Sequence, residues 1–264
     1  MLSSSSFTTP ASVLQAFGST MTHSSPATLT ELLDARAQSH PDGLALIFKD
    51  RRWLYAEFQR ETDRVANGFL RIGVKKGDRV AFVLPNCAEF LFAVFAVTKL
   101  GAVFVPLNFQ YTAEEAQYVL RHSEASNVLT TPELPELIDA VRENLPDLKR
   151  VIVTGAAEFT GAQSWDSFLS GVADGAPRLP IDPEDLASIT YTSGTTDRPK
   201  GVMLSQYAYA FAPRMRAQGL GWSDADRVLC VLPLFHVNAL CHTCLAMLSA
   251  GGSIVLAEKF SASR

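Results

Sequence analysis

Residues 79–105 constrain the fold of this chain more than any other stretch. Arg79 to Leu84 is an apolar run of strand type, and Pro85-Asn86 predicts a turn with a helix N-cap. Cys87 to Leu100 predicts a helix, Gly101 closes it, and Ala102 to Val105 predicts a second strand. A strand, one helical crossover and another strand form a parallel pair. The pattern continues on both sides. Thr28-Leu29-Thr30-Glu31 is a capping box, opening a helix that ends near His40-Pro41. Leu44 to Phe48 and Arg52 to Leu54 flank Lys49-Asp50-Arg51 as a hairpin, and a helix runs from about Tyr55 to Ile72. Thr112-Ala113-Glu114-Glu115 caps another helix. Asn127 to Leu129 and Arg150 to Val153 predict short buried strands around a helix from Glu133 to Leu145. Leu186 to Tyr191, Arg227 to Leu232 and Ser253 to Ala257 predict further strands. Helices are predicted from Ser205 and over Asn238 to Ser249, before Gly251-Gly252. The expected class is α/β, with mostly parallel sheets flanked by helices. Gly155 to Pro183 is richer in Gly, Pro, Ala and Asp and reads as a connection between subdomains.

Composition narrows the function. Of 264 residues 47% are hydrophobic, enough for a sizeable core. Twenty-three basic residues against 27 acidic give a net charge of −4, so no basic excess points to nucleic acid or an anionic membrane. The apolar run Phe90 to Val97 is far shorter than the roughly 20 residues of a membrane span and predicts a buried helix. Cys87, Cys230, Cys241 and Cys244 all sit in apolar surroundings, which suits reduced thiols and a cytoplasmic setting. Residues 1–25 hold no Asp, Glu, Lys or Arg. They lack a basic n-region and arginines, and read as a disordered leader, with Met21 an alternative start.

The chemistry concentrates in residues 191–201, Tyr191-Thr192-Ser193-Gly194-Thr195-Thr196-Asp197-Arg198-Pro199-Lys200-Gly201. Five hydroxyl side chains, two glycines, an arginine and a lysine fall there, between a predicted strand and a predicted helix. Backbone N–H groups, hydroxyls and cations in that density suit a polyphosphate. Each charge-assisted hydrogen bond of this kind is worth roughly 1.5–3 kcal/mol. A Walker A loop does not fit, because Pro199 stands before Lys200 where glycine is required and Gly201 follows where Ser or Thr is required. An ordinary Gly/Thr turn would not carry so long a match.

This segment resembles the signature loop of the adenylate-forming (AMP-binding) superfamily, which includes acyl-CoA synthetases, luciferases and the adenylation domains of peptide synthetases. Further segments resemble the same family in the right order. They are Trp53 to Phe58, Gly77-Asp78-Arg79-Val80 with Pro85-Asn86, Lys99-Leu100-Gly101-Ala102 through Val105-Pro106-Leu107-Asn108, and Pro233-Leu234-Phe235-His236-Val237-Asn238. The resemblance implies the N-terminal part of the large domain of an adenylate-forming enzyme, over residues 26–264. It implies ATP, Mg2+ and coenzyme A as cofactors and a small carboxylic acid as substrate. A carboxylate would attack the α-phosphate of ATP, and a thiol would then displace AMP. Thr192, Ser193, Gly194, Thr195, Thr196 and Lys200 match the loop that embraces the β- and γ-phosphates, with Lys200 and Thr196 the catalytic candidates. His236 and Asn238 match the border of the acyl pocket. No residue is assigned as a metal ligand.

One position departs from the family pattern: Asp197 stands where glycine is usual. A carboxylate about 5 Å from a phosphate charge costs roughly 3 kcal/mol at an effective dielectric of about 20. That is about a hundredfold in nucleotide affinity, unless the carboxylate points to solvent or pairs with Arg198. Cys241-His242-Thr243-Cys244 has C-x-x-C spacing but no second ligand pair in the sequence, and reads as part of an apolar helix. The family's acidic magnesium segment, its ribose-binding acid and its C-terminal lysine domain find no match in these residues, so the chain reads as truncated. Two alternatives stay open beside a CoA ligase: an amide-forming or carrier-protein-loading enzyme, and a non-catalytic nucleotide-binding fragment.

Overall fold

The alternating strands and helices resolve into two sheets in a computed structural model that describes residues 26–155, 161–177, 179–192 and 198–259. The larger sheet contains β3 (Arg79–Val83), β4 (Val103–Pro106), β5 (Asn127–Thr130), β6 (Arg150–Val153), β7 (Gln163–Ser164), β8 (Leu186–Thr192) and β9 (Lys200–Ser205). Its order is β7-β6-β5-β3-β4-β8-β9. All its pairs are parallel except β8–β9. The smaller sheet contains β1 (Leu44–Phe48), β2 (Arg51–Leu54), β10 (Arg227–Cys230) and β11 (Ser253–Leu256), in the order β10-β11-β1-β2. Here β1 and β2 are the expected hairpin, and β1 pairs in parallel with β11, Leu46 opposite Ile254.

The helices are α1 (Leu29–Ser39), α2 (Tyr55–Arg71), α3 (Ala88–Lys99), α4 (Ala113–His122), α5 (Pro135–Arg142), α6 (Trp165–Leu169) and α7 (Gln206–Leu220). A final helical run comprises α8 (Val237–Ala239), a π-helical stretch (Leu240–Leu245) and α9 (Ala246–Ala250). The capping boxes at Thr28 and Thr112 form as expected, each threonine accepting from the N–H three residues on. Gly101 takes φ +65° after α3, a conformation that glycine adopts without strain.

Alternation along β3 divides the apolar core. Val80 and Phe82 belong to one buried cluster, Ala81 and Val83 to another. The first cluster joins both sheets through α2 and α3, and includes Leu46, Ile254, Phe58, Phe95 and Phe104. Every residue of α3 except Glu89 is buried, as a helix apolar all round requires. The second cluster packs α4 and α5 on the other face, through Val119, Leu120, Ile138 and Val141. The apolar run therefore does not stop at Thr98-Lys99. Lys99 is buried, with Nζ 2.6 Å from Asp63 Oδ1 on α2 and 3.2 Å from Asp34 Oδ1 on α1. Burial pushes the Asp63 carboxyl up, and the hydrogen bond and charge of Lys99 pull it back.

Some sequence expectations change. Asn86 does not cap α3; Cys87 occupies the N-cap position and the Asn86 amide serves elsewhere. The predicted helix over Glu133 to Leu145 is shorter, starting with Pro135 at its first position, where a missing N–H costs nothing. Residues 200–205 form a strand ahead of the predicted helix, and Ser205 caps that helix by accepting from Ala208 N. The stretch read as a connection contains β7 and α6, whose Phe168 packs against Phe69 with ring centroids 5.0 Å apart. Among the described residues no helix is long and apolar enough to cross a membrane.

Candidate functional site

The phosphate-type segment joins two antiparallel strands. Thr192 ends β8 and pairs with Lys200, which begins β9; Tyr191 pairs with Gly201. Ser193, Gly194, Thr195, Thr196 and Asp197 lie outside the described residues. The helix expected to lead out of the loop starts only after β9, so its N-terminus lies roughly 17 Å along the chain from Lys200. A helix dipole acts over its first turn and does not reach that far. Both Thr192 and Lys200 are exposed, so the closing pair presents a hydroxyl and an ammonium to solvent.

Gly201 has a steric reason. A Cβ there would sit 2.7 Å from Ile189 Cγ2 and 3.3 Å from Tyr191 Cζ. The Tyr191 ring lies over the strand opposite, and only glycine leaves it room. Burial pushes the Tyr191 phenol up to about 12, with Tyr118 adding to the shift.

The Pro233 to Asn238 segment is held by Asn86. The Asn86 amide donates to the carbonyls of Leu232 (3.0 Å) and Ala257 (2.9 Å), and its oxygen accepts from Leu234 N (2.8 Å). One buried side chain thus ties the end of β3 to the chain following β10 and β11. Replacing Asn86 with alanine removes these three bonds, leaving the buried Leu234 N–H without this acceptor, and is expected to cost about 2–3 kcal/mol in a urea-unfolding titration. His236 and Asn238 are both exposed. The His236 ring lies 4.2 Å from that of Phe235, which meets Phe109 edge-on at 5.8 Å. The Asn238 carbonyl accepts from Thr243 Oγ1, five residues on, where the helix widens to π geometry.

Sequence reasoning passed over a cavity of about 700 Å3 beyond the carboxyl ends of the strands. Phe48, Asn86, Phe109, Thr131 and Thr154 help line it. From β3 the chain steps to β4 on one side, then back across to β5 on the other. Such a reversal opens a crevice where open α/β sheets bind ligands. The available signal was positional, since each of these five residues ends or follows a strand.

All four cysteines are free and buried. Burial pushes the Cys241 thiol up to about 12, and the neighbouring Cys230 thiol together with burial pushes the Cys244 thiol well up. Among the described residues no cluster of three or more His, Cys, Asp or Glu could hold a metal ion.

Comparison with known proteins accounts for this arrangement. The family model of AMP-binding enzymes matches residues 33–264. A crotonobetaine/carnitine–CoA ligase from Salmonella paratyphi B is 35% identical over 248 residues, which cover 89% of this chain and 47% of the ligase. The inhibitor-bound N-terminal domain of FACL13 from Mycobacterium tuberculosis has a TM-score of 0.81 at 29% identity, with 89% of this chain and 58% of that one covered. The anthranilate CoA ligase AuaEII in complex with anthranoyl-AMP has a TM-score of 0.83 at 26% identity, with coverage of 88% and 45%. The chain spans about half the length of the ligases to which it is similar. With a match that runs through both sheets and every element around the hairpin, the chain belongs to the AMP-binding enzyme family.

Proposed function

We propose that residues 26–264 are the phosphate-holding portion of an ATP-dependent acid–thiol ligase that activates a small carboxylic acid and passes it to coenzyme A. The observation that carries this reading is the closing pair of the hairpin, Thr192 opposite Lys200, both exposed. This pair brackets the residues matched to the triphosphate clasp. Thr192, Ser193, Thr195 and Thr196 would donate hydroxyl hydrogen bonds to phosphate oxygens, and Gly194 would let the backbone approach. Lys200 would oppose charge that builds on the leaving pyrophosphate as the carboxylate oxygen bonds to the α-phosphorus. Transfer then replaces the AMP oxygen on the acyl carbon with the thiol sulfur. Mg2+ supplies charge neutralisation on the phosphates, and this chain offers it hydroxyls but no carboxylate cluster among the described residues. His236 and Asn238 are proposed at the border of the acyl pocket, where the His236 ring lies beside that of Phe235. The relatives named as CoA ligases support thioester over amide formation, and the buried free thiols support a cytoplasmic setting.

Magnesium–ATP titrated into the chain by calorimetry tests the reading. Lys200→Ala removes a charge-assisted bond and is expected to weaken binding about 10- to 100-fold. Asp197→Gly is expected to tighten it, by up to about a hundredfold. Absence of ATP binding, or equal affinities for wild type and Lys200→Ala, would sink the proposal. Pyrophosphate exchange with a panel of acids, then product analysis with coenzyme A against amines, separates thioester from amide formation and from mere nucleotide binding.

A further inference from the structure

Helix α4 ends against both stems of the phosphate hairpin. His122, its last residue, has Nδ1 2.7 Å from the Tyr191 hydroxyl on the ingoing stem. Their rings meet nearly at right angles, 5.7 Å apart. One turn earlier, Tyr118 stacks on His122 at 5.4 Å, with the rings 25° from parallel. The Tyr118 hydroxyl donates to the Pro199 carbonyl on the outgoing stem (3.3 Å). The Arg198 guanidinium lies over the Tyr118 ring at 5.5 Å. The helical spacing of four residues brings Tyr118 and His122 onto one face. That face contacts Tyr191 on one side of the turn and Arg198 and Pro199 on the other.

We propose that Tyr118 and His122 are positioning residues, a brace that fixes where the two stems enter and leave the turn. The inference rests on the reading of the hairpin as a triphosphate clasp, and no partner for these side chains is needed to complete it. Two physical points support it. The Tyr191 phenol keeps its proton, and so can donate to His122 Nδ1. Gly201 leaves the Tyr191 ring the space to lie across β9 and reach α4. Because Pro199 and Arg198 directly precede Lys200, holding them restricts the ammonium before any ligand arrives. Such preorganisation raises affinity without adding a contact to the ligand.

Calorimetric titration with inorganic tripolyphosphate, alongside thermal unfolding, separates positioning from support of the fold. His122→Ala is expected to weaken tripolyphosphate binding about fivefold, the equivalent of one neutral hydrogen bond. Tyr118→Ala loses both the hydroxyl bond and the guanidinium–ring contact and is expected to lose about tenfold. His122→Gln restores a polar partner for Tyr191 and is expected within about twofold of wild type. The thermal midpoints of the two His122 variants should stay within about 4 °C of wild type, since His122 is exposed; Tyr118 packs against the second core cluster and its alanine variant is expected to fall further, so the His122 pair carries this control. Wild-type affinity in His122→Ala and Tyr118→Ala, with Lys200→Ala still defective, overturns the brace alone. Affinity losses that only follow falling thermal midpoints overturn it too. No tripolyphosphate binding by wild type removes the clasp reading and the brace with it.

Discussion

Asp63→Ala is expected to lower the unfolding free energy by about 3–5 kcal/mol, read from urea midpoints. Lys99 is 2% exposed, and its ammonium has two described carboxylate partners. Asp63 is the closer and the more buried, and Asp34 is half-exposed. Removing Asp63 leaves a charge inside the cluster that joins α1, α2 and α3, with one partner that water screens. The loss is a large share of the 5–15 kcal/mol typical of a folded domain. A double replacement, Lys99→Met with Asp63→Leu, removes both charges and is expected to cost far less than Asp63→Ala. A single-mutant loss under about 1 kcal/mol would show that Asp34 alone satisfies the lysine. In this reading the lysine of the Lys99-Leu100-Gly101-Ala102 segment ties three helices and does not meet a ligand.

Gly252→Ala is expected to cost at least about 3 kcal/mol, because its obstacles are backbone. A Cβ at residue 252 would fall 2.6 Å from the Asp226 carbonyl oxygen, 2.9 Å from that of Ser223, and on Met247 Sδ. The methionine can move, but the two carbonyls belong to the turn that leads into β10. The Asp226 carbonyl also accepts from Ser253 N (3.1 Å), and the Gly252 carbonyl accepts from the buried Tyr55 hydroxyl (2.8 Å). Displacing the turn therefore disturbs β10, β11 and α2 together. Gly251→Ala is the control: it forces a side chain into φ +90° but meets nothing closer than 3.3 Å. Calorimetric melting should rank residue 252 as the more damaging site, and equal losses would show that strain at residue 251 governs the turn.

Elements with a strong local signal were legible. The parallel pair β3–β4, the helix α3 between them and the capping boxes at Thr28 and Thr112 follow from period, breakers and caps alone. β9 was hidden because Lys200-Gly201-Val202-Met203 is short, lies at a sheet edge and leaves Val202 and Met203 exposed, so it lacks a buried face to set a period. The role of Asn86 was also hidden: asparagine after a strand is a good cap by propensity, and only the tertiary fold offers it three better partners. The hairpin stood out as a candidate site because hydroxyl, glycine and basic residues crowd there. The Tyr118–His122 brace was not, since Tyr118 and His122 lie about 70 residues from Tyr191 and carry no local signature.

The pairing of β1 with β11 sets a schedule for synthesis. β1 and β2 emerge early as a hairpin with one open edge, and their parallel partner follows about 210 residues later. At 5–20 residues per second that edge waits about 10–40 s. The larger sheet can assemble from β3 through β7 in the meantime, since those strands pair with near neighbours in sequence. The nascent chain thus carries an unsatisfied strand, Leu44–Phe48, until residues 253–256 have been made. During this interval that apolar edge is open to pairing with other chains, an aggregation hazard that the finished fold removes.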